Sequence, residues 1–131
     1  MSVILDANVV VALVTDSYRH TSARERFDRW LTEGEDFHAP DLFTYELASA
    51  LLRKEVGSDN VWSFVTCLDM TFHPPSHGAN LVAIARRLHR RSAYDAAYID
   101  LALELNAELW TLDGKLARNA ESVGFPVRLV C

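Results

Sequence analysis

Four carboxylates stand where chemistry is possible. Asp6 closes the apolar run Val3-Ile4-Leu5, and Asp113 closes Leu109-Trp110-Thr111-Leu112. Asp95 opens a periodic segment in Tyr94-Asp95-Ala96-Ala97-Tyr98, and Glu46 lies inside Leu42-Phe43-Thr44-Tyr45-Glu46-Leu47-Ala48-Ser49-Ala50. Carboxylates gathered in one hollow repel and raise each other's pKa unless a cation neutralises them. Ligation by a few oxygens suits Mg²⁺, with Mn²⁺ also possible, because such ions keep waters and phosphate oxygens in their shells. Each aspartate also has a second reading, since Asp near a helix N-terminus accepts hydrogen bonds from free N–H groups and suits the helix dipole. Glu46 is different: its neighbours three and four residues away are Leu42, Phe43, Ser49 and Ala50, with no countercharge among them. It is either a helix-border glutamate reaching for solvent or a ligand that needs a cation.

The elements that must position these groups follow from the apolar pattern. Val3 to Leu5, Phe37 to Ala39, Met70 to His73, Leu109 to Leu112 and Val127 to Val130 are short runs bounded by turn residues, and they predict five buried strands. Segments of 3.6-residue periodicity lie between them, over Tyr18 to Thr32, Leu42 to Val56, Val61 to Leu68, Ala79 to Arg91, Asp95 to Asn106 and Gly114 to Val123. Strands alternating with helices predict an α/β fold of three layers, with a mainly parallel five-stranded sheet covered on both faces. In such sheets ligands bind beyond the carboxyl ends of the strands, which is the edge that Asp6 and Asp113 must share. A length of 131 residues without a linker, repeat or low-complexity tract fits one domain spanning 1–131.

These residues resemble the PIN domain family, and within it the small VapC-like toxins of prokaryotic toxin–antitoxin pairs. The resemblance covers essentially the whole chain. It rests on the order and spacing of Val3-Ile4-Leu5-Asp6-Ala7-Asn8-Val9, Glu46, Tyr94-Asp95-Ala96-Ala97-Tyr98-Ile99 through Leu101-Ala102-Leu103-Glu104, Leu109-Trp110-Thr111-Leu112-Asp113-Gly114-Lys115-Leu116, and Gly124-Phe125-Pro126-Val127. It implies a metal-dependent endoribonuclease in which Asp6, Glu46, Asp95 and Asp113 match the family's acidic quartet and hold Mg²⁺ or Mn²⁺. Asn8 and Thr111 match its small polar positions beside the acids, where they orient carboxylates and metal-bound waters. A cognate antitoxin protein is the implied partner. Asp100 departs from the pattern: it is either a fifth site acid or, being about 140° around the helix from Asp95 and in line with Glu104, part of a solvated acidic stripe.

Other chemistries fit less well. An aspartyl-phosphate phosphatase of the haloacid-dehalogenase type needs a second Asp two residues after the first, and Asn8 stands there. A receiver domain needs an Asp after the third strand, where the chain reads Phe72-His73-Pro74. A non-catalytic interaction module on a PIN scaffold is the remaining alternative. The five histidines, at 20, 38, 73, 77 and 89, show no metal-ligand spacing, and Cys67 and Cys131 form no redox-like pair. With only five glycines and no phosphate-binding loop, a nucleotide cofactor is not implied.

Thirteen Lys+Arg against eighteen Asp+Glu leave a net charge of −5, so binding to RNA requires a local basic patch. The concentrated basic segment is Arg86-Arg87-Leu88-His89-Arg90-Arg91, expected on the helix before Asp95. It reads either as a solvated helix end or as an RNA backbone track through Arg86, Arg87, Arg90 and Arg91. Trp30, Trp62 and Trp110 lie in apolar periodic segments and are expected in the core rather than as base-stacking platforms. The start Met-Ser-Val-Ile-Leu has no basic region, and the longest apolar run, Val9 to Val14, is far short of a membrane span, so a cytoplasmic protein is expected. Apolar helical faces beyond those a core of this size needs suggest a homodimer.

Overall fold

The computed structural model describes residues 1–15, 21–55, 57, 59–90 and 92–130. Its elements are β1 (Ser2–Leu5), α1 (Ala7–Thr15), α2 (Thr21–Glu33), β2 (Asp36–Pro40), α3 (Leu42–Lys54), α4 (Asp59–Cys67), β3 (Thr71–His73), α5 (Gly78–Arg87), α6 (Tyr94–Leu105), β4 (Glu108–Thr111), α7 (Gly114–Ser122) and β5 (Val127–Leu129). The strands form one five-stranded sheet in the order β3-β2-β1-β4-β5. Every strand pair is parallel, with Ile4 opposite both His38 and Leu109 in register.

The crossovers change direction between β1 and β4. The crossovers from β1 to β2 and from β2 to β3 run one way across the sheet, and those from β3 to β4 and from β4 to β5 run the other. Right-handed crossovers therefore put α1 to α4 on one face and α5 to α7 on the opposite face. This is the expected three-layer architecture. Helix α6 packs on β1, β2 and β4, whereas α1 packs on α2, α3 and α4. The core runs through Ile4, Leu5, Val9, Val10, Phe43, Leu47, Tyr98, Ile99 and Leu109, all nearly or wholly inaccessible.

Several expectations need correction. Helix α1 is absent from the periodic segments because Ala7, Val9, Val10, Val11, Ala12 and Leu13 are all buried, and a helix covered on every side carries no amphipathic period. The outer strands are not buried: Thr71 and Phe72 of β3 and Arg128 and Leu129 of β5 are exposed, as edge positions allow. Helix α5 does not run to Arg91 but ends at Arg87. His89 takes a left-handed φ of 56°, and the Arg90 amide closes back on the Ala85 carbonyl at 2.9 Å. Helix α3 likewise stops at Lys54, where Glu55 is left-handed, short of Val56, which lies outside the described residues. The expected start of α2 at Tyr18 lies there too, as do His20, Arg91 and Cys131. Cys67 is a free, exposed thiol. Trp30 is buried and meets Trp110 edge to face at 5.4 Å, while Trp110 and Trp62 pack partly buried on the core.

Candidate active site

Asp6 and Asp113 lie beyond the carboxyl ends of β1 and β4, the neighbouring strands between which the crossovers change direction, which is where open parallel sheets bind ligands. Asp6 is the first residue after β1, and its amide still donates to the Trp110 carbonyl of β4 at 3.1 Å. A side-chain network holds Asp6. The Thr111 hydroxyl donates to Asp6 Oδ2 at 2.8 Å, and Asn8 Nδ2 donates to Thr111 Oγ1 at 3.2 Å. Asn8 Oδ1 accepts from the Leu112 amide at 3.1 Å, and Thr111 Oγ1 accepts from the Asp113 amide at 3.0 Å. Thr111 is wholly buried, so its hydroxyl needs these partners. The two small polar residues therefore tie the loop after β4 to the start of α1 and fix the direction of the Asp6 carboxylate.

The other acids arrive on helices. Asp113 is the N-cap of α7, accepting from the Leu116 amide at 3.1 Å through Oδ1, so the capping reading is correct for it and leaves Oδ2 without a capping role. Asp95 sits in the first turn of α6 but is not its cap; the residue at that position is Ala93, with no side-chain cap. Arg90 Nε stands 3.7 Å from Asp95 Oδ2, an ion pair beyond hydrogen-bond length. Glu46 projects from α3, and its Oε1 is buried without a hydrogen-bond partner.

Electrostatics joins the four groups. Burial is the main cause that pushes the Asp6 carboxyl up, to about 6, with Glu46 and Asp95 adding repulsion against the stabilising Thr111 and Asn8 hydrogen bonds. Burial likewise raises Glu46, with Asp95 adding to it, and raises Asp95, where Arg90 opposes and Asp113 reinforces the rise. Asp6, Glu46 and Asp95 thus feel one another, and Asp113 acts on Asp95. Asp100 does not join them: it accepts from Ser76 Oγ at 2.5 Å and lines hollows with Glu104 on the outer side of α6.

One residue at the site was given no role by the sequence, and another was given a different one. Tyr98, one turn beyond Asp95 on α6, is buried with its hydroxyl facing Glu46 and Asp6, yet neither that hydroxyl nor Glu46 Oε1 completes a hydrogen bond of normal geometry. Burial and those two carboxylates push the phenol far above its usual range, so it stays a neutral donor. Its i,i+3 spacing from Asp95 was the available signal. Arg90 is the second, expected on an RNA track and found beside Asp95.

A divalent ion fits this donor set. Glu46 Oε1 is a buried oxygen without a partner, and Asp6 is desolvated among like charges. Among the described residues no three Asp, Glu, His or Cys side chains already converge tightly enough to enclose an ion. Mg²⁺ does not need that, because it is commonly held by one or two carboxylates with waters completing the octahedron.

The PIN domain family model matches residues 3–122. Ribonuclease VapC3 of Pyrobaculum aerophilum is 28% identical over 137 aligned residues, which cover 96% of this chain and 100% of that protein. The crystal structure of PAE2754 from Pyrobaculum aerophilum superposes with a TM-score of 0.66 at 17% identity, over 99% of this chain and 90% of that one. A PilT N-terminus domain protein, SSO1118, from the archaeon Sulfolobus solfataricus P2 superposes with a TM-score of 0.53 at 13% identity, over 99% of this chain and 87% of that one. Both superpositions bear on fold alone. With acids ordered along the chain as the resemblance required, and a family model spanning nearly its whole length, this chain belongs to the PIN domain family.

Proposed function

We propose that this chain is a divalent-metal-dependent endoribonuclease, a single PIN domain over residues 1–131 acting as the toxin of a toxin–antitoxin pair. The observation that carries the reading is the repulsion among Asp6, Glu46 and Asp95, with Asp113 acting on Asp95, beside Glu46 Oε1, a buried oxygen that completes no hydrogen bond. The similarity to Ribonuclease VapC3 supports RNA as the substrate.

In this reading Asp6, Glu46, Asp95 and Asp113 hold Mg²⁺, with Mn²⁺ as a possible substitute. The bound ion activates water and neutralises charge on the phosphodiester. The chain's own part is positioning. Thr111 and Asn8 aim Asp6, the cap on α7 holds Asp113, and Tyr98 stands as a neutral hydroxyl beside Glu46. An aspartyl-phosphate route is disfavoured because Asp6 Oδ2 is occupied by Thr111 and the residue two positions on is an amide, itself committed to Thr111 and Leu112.

The exposed Tyr45, Leu52 and Tyr94 lie on α3 and α6, the helices that carry Glu46 and Asp95. They supply apolar surface for an antitoxin segment and for the second copy of a homodimer. Among the described residues no helix is long and apolar enough to cross a membrane, in keeping with a cytoplasmic toxin.

The test is cleavage of single-stranded RNA by purified protein. Asp6→Asn and Asp95→Asn should retain the wild-type circular dichroism spectrum and lose cleavage by about 100-fold or more, since even supporting residues of metal sites cost 10- to 100-fold. Excess chelator should abolish cleavage and added Mg²⁺ restore it. Cleavage that persists undiminished in chelator, or full turnover by a folded Asp95→Asn protein, overturns the reading.

A further inference from the structure

The four hollows described on this molecule differ in charge. Three contain carboxylates: Asp100 and Glu104 in the largest, Asp41, Asp100 and Glu104 in the smallest, and Glu46 in the one flanked by Tyr45 and Tyr94. The fourth, of about 350 Å³, is lined by Arg87, His89, Arg90, Lys115, Asn119 and Ser122 with Leu88 and Val123, and contains no carboxylate. On a chain of net charge −5, this is a cationic hollow set against the trend of the whole surface.

Its position follows from the way α5 ends. Because His89 turns left-handed, Arg90 leaves the helix axis and comes back toward α6, where it meets Asp95. Lys115 stands two residues after Asp113, on the exposed side of the first turn of α7. The hollow is thus bounded by residues next to two of the four acids. Arg87 is fixed as a wall: its Nη2 donates to the Val123 carbonyl at 2.8 Å, and its guanidinium lies 4.6 Å over the Phe125 ring. Arg90 is not so committed. Its Nε and Nη2 are buried without any hydrogen-bond partner, and Asp95 is too far to serve as one. The Arg90 side chain is still partly exposed and lines the hollow beside an ammonium, an imidazole and two small polar side chains, a set of donors that matches the oxygens of a phosphate group. Arg86, which does not line the hollow, is exposed on the outside of α5.

We infer that Arg90, Lys115 and His89 form a phosphate subsite for an RNA strand, holding a phosphodiester next to the one presented to the acids. This rests on the nuclease reading for its substrate. It moves the RNA track off the helix face expected from the sequence: Arg90 belongs to it, Arg86 does not, Arg87 only walls it, and Lys115 joins from α7.

Binding of a labelled single-stranded RNA, measured by fluorescence anisotropy across a salt series with Mg²⁺ present, tests this on an Asp6→Asn background that binds without cutting. Each phosphate contact to a single strand contributes about 0.7 to the slope of log affinity against log salt. Lys115→Gln and Arg90→Gln should each weaken binding and flatten the slope by about 0.7, Arg90→Lys should recover most of it, and Arg86→Gln should leave it unchanged. Lys115 is exposed, so its variant decides the matter even if Arg90→Gln fails to fold. Equal slopes for Lys115→Gln and the parent, an Arg86→Gln effect as large as either, or no RNA binding at all overturns the subsite. So does competition by polyglutamate as strong as by RNA of equal charge, which would make the hollow a dock for an acidic peptide. The readout is binding, so an active nuclease with unmoved slopes discards the subsite alone, and moved slopes in a protein that never cleaves RNA discard the nuclease reading alone.

Discussion

At the scale of single residues, Asp6 carries the largest conflict between fold and function. Its carboxyl rises from 3.8 to about 6 because burial, Glu46 and Asp95 outweigh Thr111 and Asn8. A folded-state pKa above the unfolded one means that the group favours the fold below pH 3.8 and loses that contribution as pH rises through 6. At about 1.4 kcal/mol per unit, the loss is on the order of 3 kcal/mol. Asp6→Asn cannot lose a proton, so in chelator the stability difference between variant and wild type should move by about 2–3 kcal/mol in favour of the variant from pH 4 to pH 7. Urea unfolding at the two pH values measures it, and parallel curves for the two proteins would show that Asp6 ionises freely in the fold. Thr111 tests the same network from its other side. Thr111→Val leaves the Asp113 amide and the Asn8 side chain without their common partner and should cost about 1–3 kcal/mol. Thr111→Ser keeps the hydroxyl and should recover much of it; a Thr111→Val protein as stable as wild type would show that the network adds nothing to folding.

At the scale of elements, the weak point is the edge strand β3. It is three residues long and mostly exposed, yet the Asp41 amide that leads into α3, the helix of Glu46, donates to its His73 carbonyl at 2.9 Å. His38 Nδ1 and His73 Nε2 meet at 2.9 Å across β2 and β3, so one nitrogen donates and the other must stay unprotonated. Partial burial, then His73, hold His38 below its usual range, against the pull of Asp36. A base depressed in the fold stabilises above the unfolded pKa of 6.5, and that contribution is lost as pH falls through the lower folded value. Amide exchange at Asp41, corrected for the intrinsic pH dependence of exchange, should therefore speed up relative to α6 amides between pH 7 and pH 5. His38→Phe should remove the change. An equal response in His38→Phe and wild type would assign the loosening to another group.

At the scale of the whole molecule, the crowded carboxylates carry a repulsion that, under the proposed function, a bound divalent ion would relieve. Because an ion bound to the native state alone stabilises by mass action, Mg²⁺ at about 100 times its Kd should add about 2.7 kcal/mol. For a domain of this size that is a rise in Tm of about 10 °C. Monovalent salt at the same ionic strength should reproduce little of it, and Asp95→Asn should lose most of it. A rise that follows ionic strength alone would point to screening of the −5 net charge rather than to a site.

The sequence by itself determined the sheet and where Asp6, Asp95 and Asp113 stand on its elements. Apolar runs ending in Asp6 and Asp113 mark strand ends whatever packs on them, and the period of α6 places Asp95 in its first turn, because both signals are local. Helix α1 escaped that reading because its period vanishes when every side is covered, a fact about neighbours rather than about Val9 to Val14. The histidines looked scattered because the side chains of His38 and His73 meet only once β2 and β3 pair across a crossover that no spacing along the chain reveals. The arginines read as one basic segment on a helix until the left-handed turn at His89 divided it. Tertiary structure then dealt Arg87 to Phe125, Arg90 to Asp95 and Lys115 to the same hollow. Local pattern decides which faces are apolar and where a strand must stop, whereas which charges meet depends on how the chain crosses over the sheet, and that geometry exists only once the layers have packed.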